Sequence, residues 1–337
     1  MGVFSKKKSK NTNNMQRFNE IDIVKGIAML TVLWHHSFIL YPICMLDIPW
    51  CQHAMAINGT FFMNVFFLVS GYLFAFSRKR SFVENLKGKA KRLLVPYLSF
   101  SAATLGLKII APSLVNRKVE TIGSYIDKLL LGGGELWFVY VLLLIFVIWP
   151  WILQHTKVWN IWCIVVGLFV ADVLIPEGFM NDIFLYKRII HFSIFFVAGY
   201  AMKEVNRKWL DNSKLFLLFS LLFVLLCCIF VRSIHIPYVS GYINAFVGCG
   251  FIWMLSYRLK DIHVVGDALS FVGKYSLPFY WLNGFVLVVA RTIVVKGLHF
   301  GSSVAIVLSI FALCVVMETL AVMVLRKYPK VGWLIGF

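Results

Sequence analysis

Two basic side chains in the first apolar segment have a spacing that suits acid–base chemistry. Lys25 and His36 are eleven residues apart. In an α-helix eleven residues make about three turns, so the two side chains lie near one face and about 16 Å apart along the axis. An imidazole accepts a proton near neutral pH, and an ammonium binds phosphate or another anion. The spacing therefore suits a helix that binds an anionic substrate at Lys25 and moves a proton at His36.

The same residues also allow a structural interpretation. Lys25 would then extend its ammonium to the membrane interface, and His36 would hydrogen-bond to a neighbouring helix. His35 points about 80° away from Lys25 on a helix, and we interpret it as structural. Ionisable groups inside a membrane span are costly, which favours a functional hypothesis for the pair.

The elements that must position these residues are membrane helices. The chain has 337 residues, of which 60% are hydrophobic and only 14% charged. Soluble domains carry about 25% charged residues. A spanning helix needs about 20 mostly apolar residues, and such segments fall at about 21–41, 58–77, 93–111, 135–153, 158–175, 187–203, 214–232, 239–256, 268–292 and 300–325.

The sequence therefore predicts an all-α integral membrane protein with about ten transmembrane helices. A basic tail, residues 1–20, precedes a single transmembrane domain, residues 21–337. The net charge is +18, and lysine and arginine concentrate in alternate loops, which predicts that both termini are cytoplasmic. The chain lacks the motifs of nucleic-acid binding, so we expect no nucleic-acid partner. We also expect no metal site and no bound cofactor.

Other polar residues in the apolar segments have two interpretations each. Arg92 could bind phosphate in a bidentate manner, or anchor the third helix at the interface. Pro96 is expected in the first turn of that helix, where proline is tolerated. Trp137 could line a sugar site or belong to an interfacial aromatic belt. Ser70 is expected to allow close helix packing, since a serine nucleophile would need a base beside it.

Polar groups deeper in the segments more often join helices than react. We interpret His191, Asn244, Asn283 and Arg291 in this way. Glu318 is the most costly of these groups in a membrane, so it is expected to face the interior of the bundle.

The first segment resembles the opening helix of the membrane-bound acyltransferase 3 family. That family shows a basic residue, then ten residues, then a histidine, and Lys25 and His36 match this spacing. Further blocks resemble the family in the expected order, and its frequent histidines are replaced by Phe62 and Asn283. These blocks are Phe-Met-Asn-Val-Phe-Phe-Leu-Val-Ser-Gly-Tyr at 62–72, Lys-Arg-Leu-Leu-Val-Pro-Tyr at 91–97, Leu-Trp-Phe at 136–138, Phe-Phe-Val-Ala-Gly-Tyr at 195–200 and Gly-Lys-Tyr-Ser-Leu-Pro-Phe-Tyr at 273–280.

The resemblance implies an O-acyltransferase, in particular an O-acetyltransferase, that uses acyl-CoA and acylates a hydroxyl of a cell-surface or secreted glycan. It implies a multi-pass protein of the bacterial plasma membrane, in contact with lipid. Lys25 and Arg92 would bind the phosphates of the donor, and His36 would be the general base. The residues expected to bind the acceptor or support the site are Ser70, Tyr72, Trp137, Asn283 and Glu318.

Two other classes of protein fit a bundle with polar residues inside it. One is a transporter or flippase that exports a lipid-linked or surface polysaccharide. Inverted repeats would favour that class, and no clear repeat is present in the sequence. The other is a sensor or scaffold without chemistry, which the loss of function in a His36→Ala variant would exclude.

Overall fold

The structure of the protein is a computed structural model that describes most of the chain. Throughout the described parts the chain is helical, without a β-strand. The basic tail up to residue 18 lies outside these parts. The described residues are 19–38, 44–77, 82–112, 121–132, 134–175, 185–231, 239–298, 300–328 and 332.

Thirteen α-helices follow one another in these residues. They are α1 (Asn19–Ser37), α2 (Pro49–Gly59), α3 (Phe62–Phe76), α4 (Phe82–Ile110), α5 (Ile122–Gly132), α6 (Trp137–His155), α7 (Val158–Leu174), α8 (Tyr186–Ala201), α9 (Ser213–Val231), α10 (Val239–Leu259), α11 (His263–Lys274), α12 (Ser276–Thr292) and α13 (Ser303–Leu325).

Each of the ten apolar segments of the sequence overlaps with at least one of these helices. Six stretches of the described chain are long and apolar enough to cross a membrane by length and composition. Ten spans and cytoplasmic termini stay predictions. The six stretches are Pro49–Phe76, Leu86–Ile110, Ile122–His155, Ser213–Val231, Ser276–Leu298 and Ser303–Leu325.

Two local predictions about helix ends are wrong. Pro96 lies in the interior of α4 and not in its first turn, because the helix begins at Phe82 in the polar loop. The apolar segment 268–292 is two helices, since the chain breaks at Tyr275 between α11 and α12. Hydropathy reports how apolar a stretch is, and it does not detect a single-residue break or a helix that continues into polar sequence.

Glycines set the two closest helix crossings in the bundle. Where α3 meets α8, a Cβ on Gly71 would overlap the carbonyl of Phe196, and a Cβ on Gly199 would overlap that of Leu68. Where α1 meets α11, Gly26 and Gly273 approach each other's backbones in the same way. Small residues let membrane helices approach closely, so packing gains replace the hydrophobic effect that lipid does not supply.

The core lies among α1, α3, α6, α8 and α10, and the last four of these helices contribute buried aromatic side chains to it. Helix α9 lies at the edge of the bundle, since none of its residues is buried. It is attached to α10 by ring stacking of Phe223 on Phe251, at 5.2 Å between centroids. An ion pair between Glu20 and Arg207 joins the start of α1 to the segment after α8. This ion pair helps to hold α1, which carries Lys25 and His36, against the rest of the bundle.

Candidate active site

A cavity of about 150 Å³ lies between α1, α3, α4, α6 and the start of α12, and we call it the Lys25 cavity. Lys25 and Arg92 both line it, as does Ser70. The structure therefore brings together the two residues predicted to bind an anion, although they come from different helices. The volume is below the range of about 300–1,000 Å³ that whole ligands need, so the cavity would enclose only part of a large donor.

The Lys25 cavity is cationic. Four basic side chains line it, and no carboxylate does so among the residues that the structure describes; the four are Lys25, Lys89, Arg92 and Lys274. Lys25 is paired with Asp22 on the same helix at 2.7 Å, and Lys89 lies over the ring of Phe146 at 4.3 Å. Arg92 is exposed. Clustered positive charge at the mouth of a cleft attracts anionic ligands.

His36 extends the line of α1 residues that forms one wall of this cavity. Lys25, Met29 and Val32 line the cavity at positions i, i+4 and i+7, and His36 is i+11 on the same helix face. The imidazole is exposed, and its ring centroid lies 5.7 Å from that of His35. His35 instead stacks on Phe62 at 5.0 Å, as expected for a side chain on a different face.

A second cavity, of about 450 Å³, follows the first along the bundle, and we call it the His191 cavity. On α3 it is lined by residues at the start of the helix, whereas the Lys25 cavity is lined by residues further along, and Met63 contributes to both. Trp137 lines the His191 cavity. The guanidinium of Arg188 lies 4.4 Å from the centroid of the indole. The ring of Phe192 stacks on the same indole, with 5.6 Å between the ring centroids.

A buried polar network forms the wall of the His191 cavity. Asp172, with 4% of its surface exposed, lies 3.2 Å from the ammonium of Lys187. The hydroxyl of Tyr242 donates to Oδ2 of Asp172. Nδ1 of His191 lies 2.8 Å from the Tyr242 oxygen, and Nε2 lies 3.3 Å from Oδ1 of Asn64. Four helices, α3, α7, α8 and α10, supply these side chains.

Besides His36, three of the predicted site residues line neither cavity. Tyr72 is buried, with its ring against Trp253 at 4.9 Å. Asn283 donates to Oε1 of Glu318 at 3.0 Å, and the glutamate is fully buried. Glu318 therefore faces the interior of the bundle, as its cost in lipid predicts. For these three residues the structure favours a supporting role.

Sequence reasoning missed residues that the cavities bring together. Asp172 lies inside an apolar segment, which was an available signal because a carboxylate there needs a partner. His191 was interpreted only as a residue that joins helices. Asn64 appears only within the block at 62–72 and Tyr242 carries no signal, since their importance depends on contacts between helices that the sequence does not contain. Lys274, which lines the Lys25 cavity, appears in the sequence analysis only within the block at 273–280.

These features define an integral membrane protein with a cationic cleft and a histidine beyond it. A family model described as an acyltransferase domain, Acyl_transf_3, matches residues 18–324. The chain therefore belongs to the acyltransferase 3 family and is an acyltransferase, which confirms the resemblance in the first helix. No curated protein and no solved structure gives a significant match to the chain.

The buried pair of Asn283 and Glu318 allows a test of whether these residues stabilise the fold or take part in the reaction. Asn283→Leu leaves the carboxyl group buried without its donor, which costs about 1–3 kcal/mol. Replacing both residues by leucine removes both polar groups, and such changes are often neutral. We therefore expect the single variant to unfold at a lower temperature in detergent than the double variant. Loss of acyl transfer in a double variant that unfolds at the parental temperature would instead indicate a role in the reaction.

Proposed function

We propose that the protein is an O-acyltransferase, in particular an O-acetyltransferase, that moves an acyl group from acyl-CoA to a hydroxyl of a cell-surface or secreted glycan. Family membership supports acyl transfer. The observation that carries the choice of donor is the Lys25 cavity, where four cations face one cleft without a lining carboxylate among the described residues. Coenzyme A is a polyanion attached to a long, narrow arm that ends in the thioester.

The size of the cavity is consistent with such a donor. The phosphates would contact Arg92 and Lys25, because charge-assisted bonds from a guanidinium to phosphate are among the strong hydrogen bonds in proteins. The cavity of about 150 Å³ would then accept only the narrow arm. The line from Lys25 to His36 gives this arm a direction along α1 toward the imidazole.

The reaction at His36 is a transfer of one acyl group and one proton. The acceptor oxygen attacks the thioester carbonyl carbon, and His36 takes the proton from that hydroxyl. The carbon–sulfur bond then breaks, and the leaving thiolate takes that proton from His36, which gives the free thiol of coenzyme A and regenerates the base. A general base contributes about 10²–10⁴-fold to such a rate. Positioning of the two substrates would contribute much of the remainder.

The cell-level test is NMR of the surface polysaccharide from a parent strain, a gene deletion and the deletion carrying the gene again. We expect the signals of ester-linked acyl groups to disappear in the deletion while the glycan backbone persists, and to return on complementation. Survival of the esters together with loss of the whole glycan from the surface would replace the proposal with the flippase. A bacterial plasma membrane location is part of the proposal.

Donor binding gives a test at residue level. Arg92→Gln is expected to weaken acetyl-CoA binding by about tenfold or more, because hydrogen bonds to charged groups contribute about 1.5–3 kcal/mol. The matched control is Lys91→Gln, since Lys91 is adjacent and exposed but does not line the Lys25 cavity. Equilibrium binding of radiolabelled acetyl-CoA to purified protein measures the affinity of both variants. Equal affinities for the two variants would contradict the assignment of Arg92 to the donor.

A further inference from the structure

When His191 is neutral, one hydrogen-bond acceptor in the wall of the His191 cavity, its Nε2, has no donor. The only proton of the Tyr242 hydroxyl goes to Asp172. The Tyr242 oxygen must therefore accept from Nδ1 of His191, which lies 2.8 Å away. In the neutral form of His191 the single ring proton is then on Nδ1, and Nε2 presents a lone pair.

The group that faces this lone pair is another acceptor. Asn64 donates through Nδ2 to the main-chain oxygen of Thr60 at 2.7 Å, which fixes the orientation of its amide. Its Oδ1 therefore points toward Nε2 of His191, at 3.3 Å. Thr60 is itself held, because Asn244 donates to its hydroxyl oxygen at 2.6 Å. When His191 is neutral, both atoms are acceptors, and a ligand donor that shares its hydrogen with the two atoms satisfies them.

We propose that the His191 cavity binds a sugar residue of the acceptor, with one hydroxyl held between Nε2 of His191 and Oδ1 of Asn64. A hydroxyl supplies the missing donor. The cavity of about 450 Å³ is within the range of about 300–1,000 Å³ found for ligand sites. Its walls combine aromatic rings with planar polar groups, which match the apolar faces and polar edges of a sugar ring. This inference rests on the proposed function.

The polar groups, and not the indole face, make the specific contacts with the sugar. Arg188 and Phe192 already lie against the ring of Trp137, so the tryptophan forms a wall of the cavity. Asp172 acts through His191, because its carboxylate holds Tyr242 and lies 3.4 Å from Nδ1. His191 and Asn64 are thus acceptor-binding residues, and Asp172 is a positioning residue.

The His191 cavity lies next to the histidine end of α1. Phe62 lines the cavity and stacks on His35 at 5.0 Å, and the ring of His36 is 5.7 Å beyond. A sugar held through one hydroxyl in this cavity would therefore present its other hydroxyls toward the end of α1. Acceptor and donor would reach His36 from consecutive cavities along the bundle.

The test is a transfer assay in which the acceptor concentration is varied. The acceptor is surface polysaccharide of the parent strain after mild alkali has removed its esters, and the donor is radiolabelled acetyl-CoA. We expect His191→Gln and Asn64→Leu each to raise the apparent KM for polysaccharide by about 5- to 100-fold. The Kd for acetyl-CoA should stay at the parental value in both. The double variant should be little worse than either single variant, because one hydroxyl serves both groups.

His155→Gln is the matched control, because His155 is an exposed histidine at the far end of α6. It should leave the KM unchanged. Parental KM values in His191→Gln and Asn64→Leu would overturn the sugar site and leave the proposed function intact. Loss of acetyl-CoA binding in these variants would also overturn it, since the cavity would then serve the fold or the donor. No transfer by the parent protein would overturn the proposed function, and the sugar site with it.

Discussion

Alanine at Gly71 or at Gly199 is expected to remove folded protein from the membrane. At each position the new methyl group would overlap a main-chain carbonyl of the partner helix, Phe196 for Gly71 and Leu68 for Gly199. A side chain can rotate away from such an overlap, but a helix backbone cannot. Helices α3 and α8 would have to separate at the crossing that positions α3, the helix that lines both cavities. Overpacking a core costs about 1–3 kcal/mol, and we expect a larger loss here because two backbones must move.

The control for this prediction is the same substitution at a helical glycine in open space. Nothing lies within 4 Å of a Cβ placed on Gly167 in α7, and alanine is about 1 kcal/mol better than glycine in a helix. Gly167→Ala should therefore accumulate at the parental level or above. Fluorescence-detected size-exclusion chromatography measures the amount of monodisperse protein for all three variants. Normal yield and elution of Gly71→Ala would show that the crossing is looser than the structure has it.

His36→Ala is expected to lower the rate of acyl transfer by about 10²–10⁴-fold, the usual contribution of a general base. The imidazole is exposed, so its removal leaves no buried group unpaired and the protein should fold normally. Initial rates with labelled acetyl-CoA and de-esterified polysaccharide, at matched protein amounts, measure the effect. Donor binding should be unchanged, because Lys25 and Arg92 lie at the Lys25 cavity, which His36 does not line.

The neighbouring histidine provides the control. His35→Phe keeps an aromatic ring stacked on Phe62 and removes both ring nitrogens, so transfer should continue near the parental rate. If the two variants exchanged behaviour, with His35→Phe inactive and His36→Ala active, the assignment of the base would move by one residue. If both remained active, proton removal would have to be assigned to a different group.

Much of the fold was predictable because lipid imposes a strong rule. Backbone groups in a bilayer must be satisfied within the helix, so long apolar stretches become helices. Every apolar segment of the sequence accordingly overlaps with a helix. Helix ends were less predictable: α4 extends through polar sequence to Phe82, and Tyr275 divides an apolar stretch that looked continuous.

The candidate site was predictable where it lies on one helix and not where helices meet. The spacing of Lys25 and His36 determines their common face by helical geometry alone. That Arg92 lies at the same cavity depends on the packing of α4 against its neighbours. The network of Asp172, His191 and Tyr242 joins residues up to 70 positions apart, and no local periodicity predicts such contacts. The sequence predicts only that an aspartate in an apolar segment needs partners, and it does not identify them.

The side chain shared by the two cavities has a consequence for the cell that harbours the enzyme. Met63 lines both the Lys25 cavity and the His191 cavity, and methionine is a flexible side chain that fills irregular gaps. A proposed donor arm passing along α1 would displace this side chain, which would return to its place when the site empties. A continuous wet passage here would dissipate the ion gradients of the membrane. Under the proposed function, Met63 would act as a seal that lets a thioester meet a sugar hydroxyl without a continuous pore.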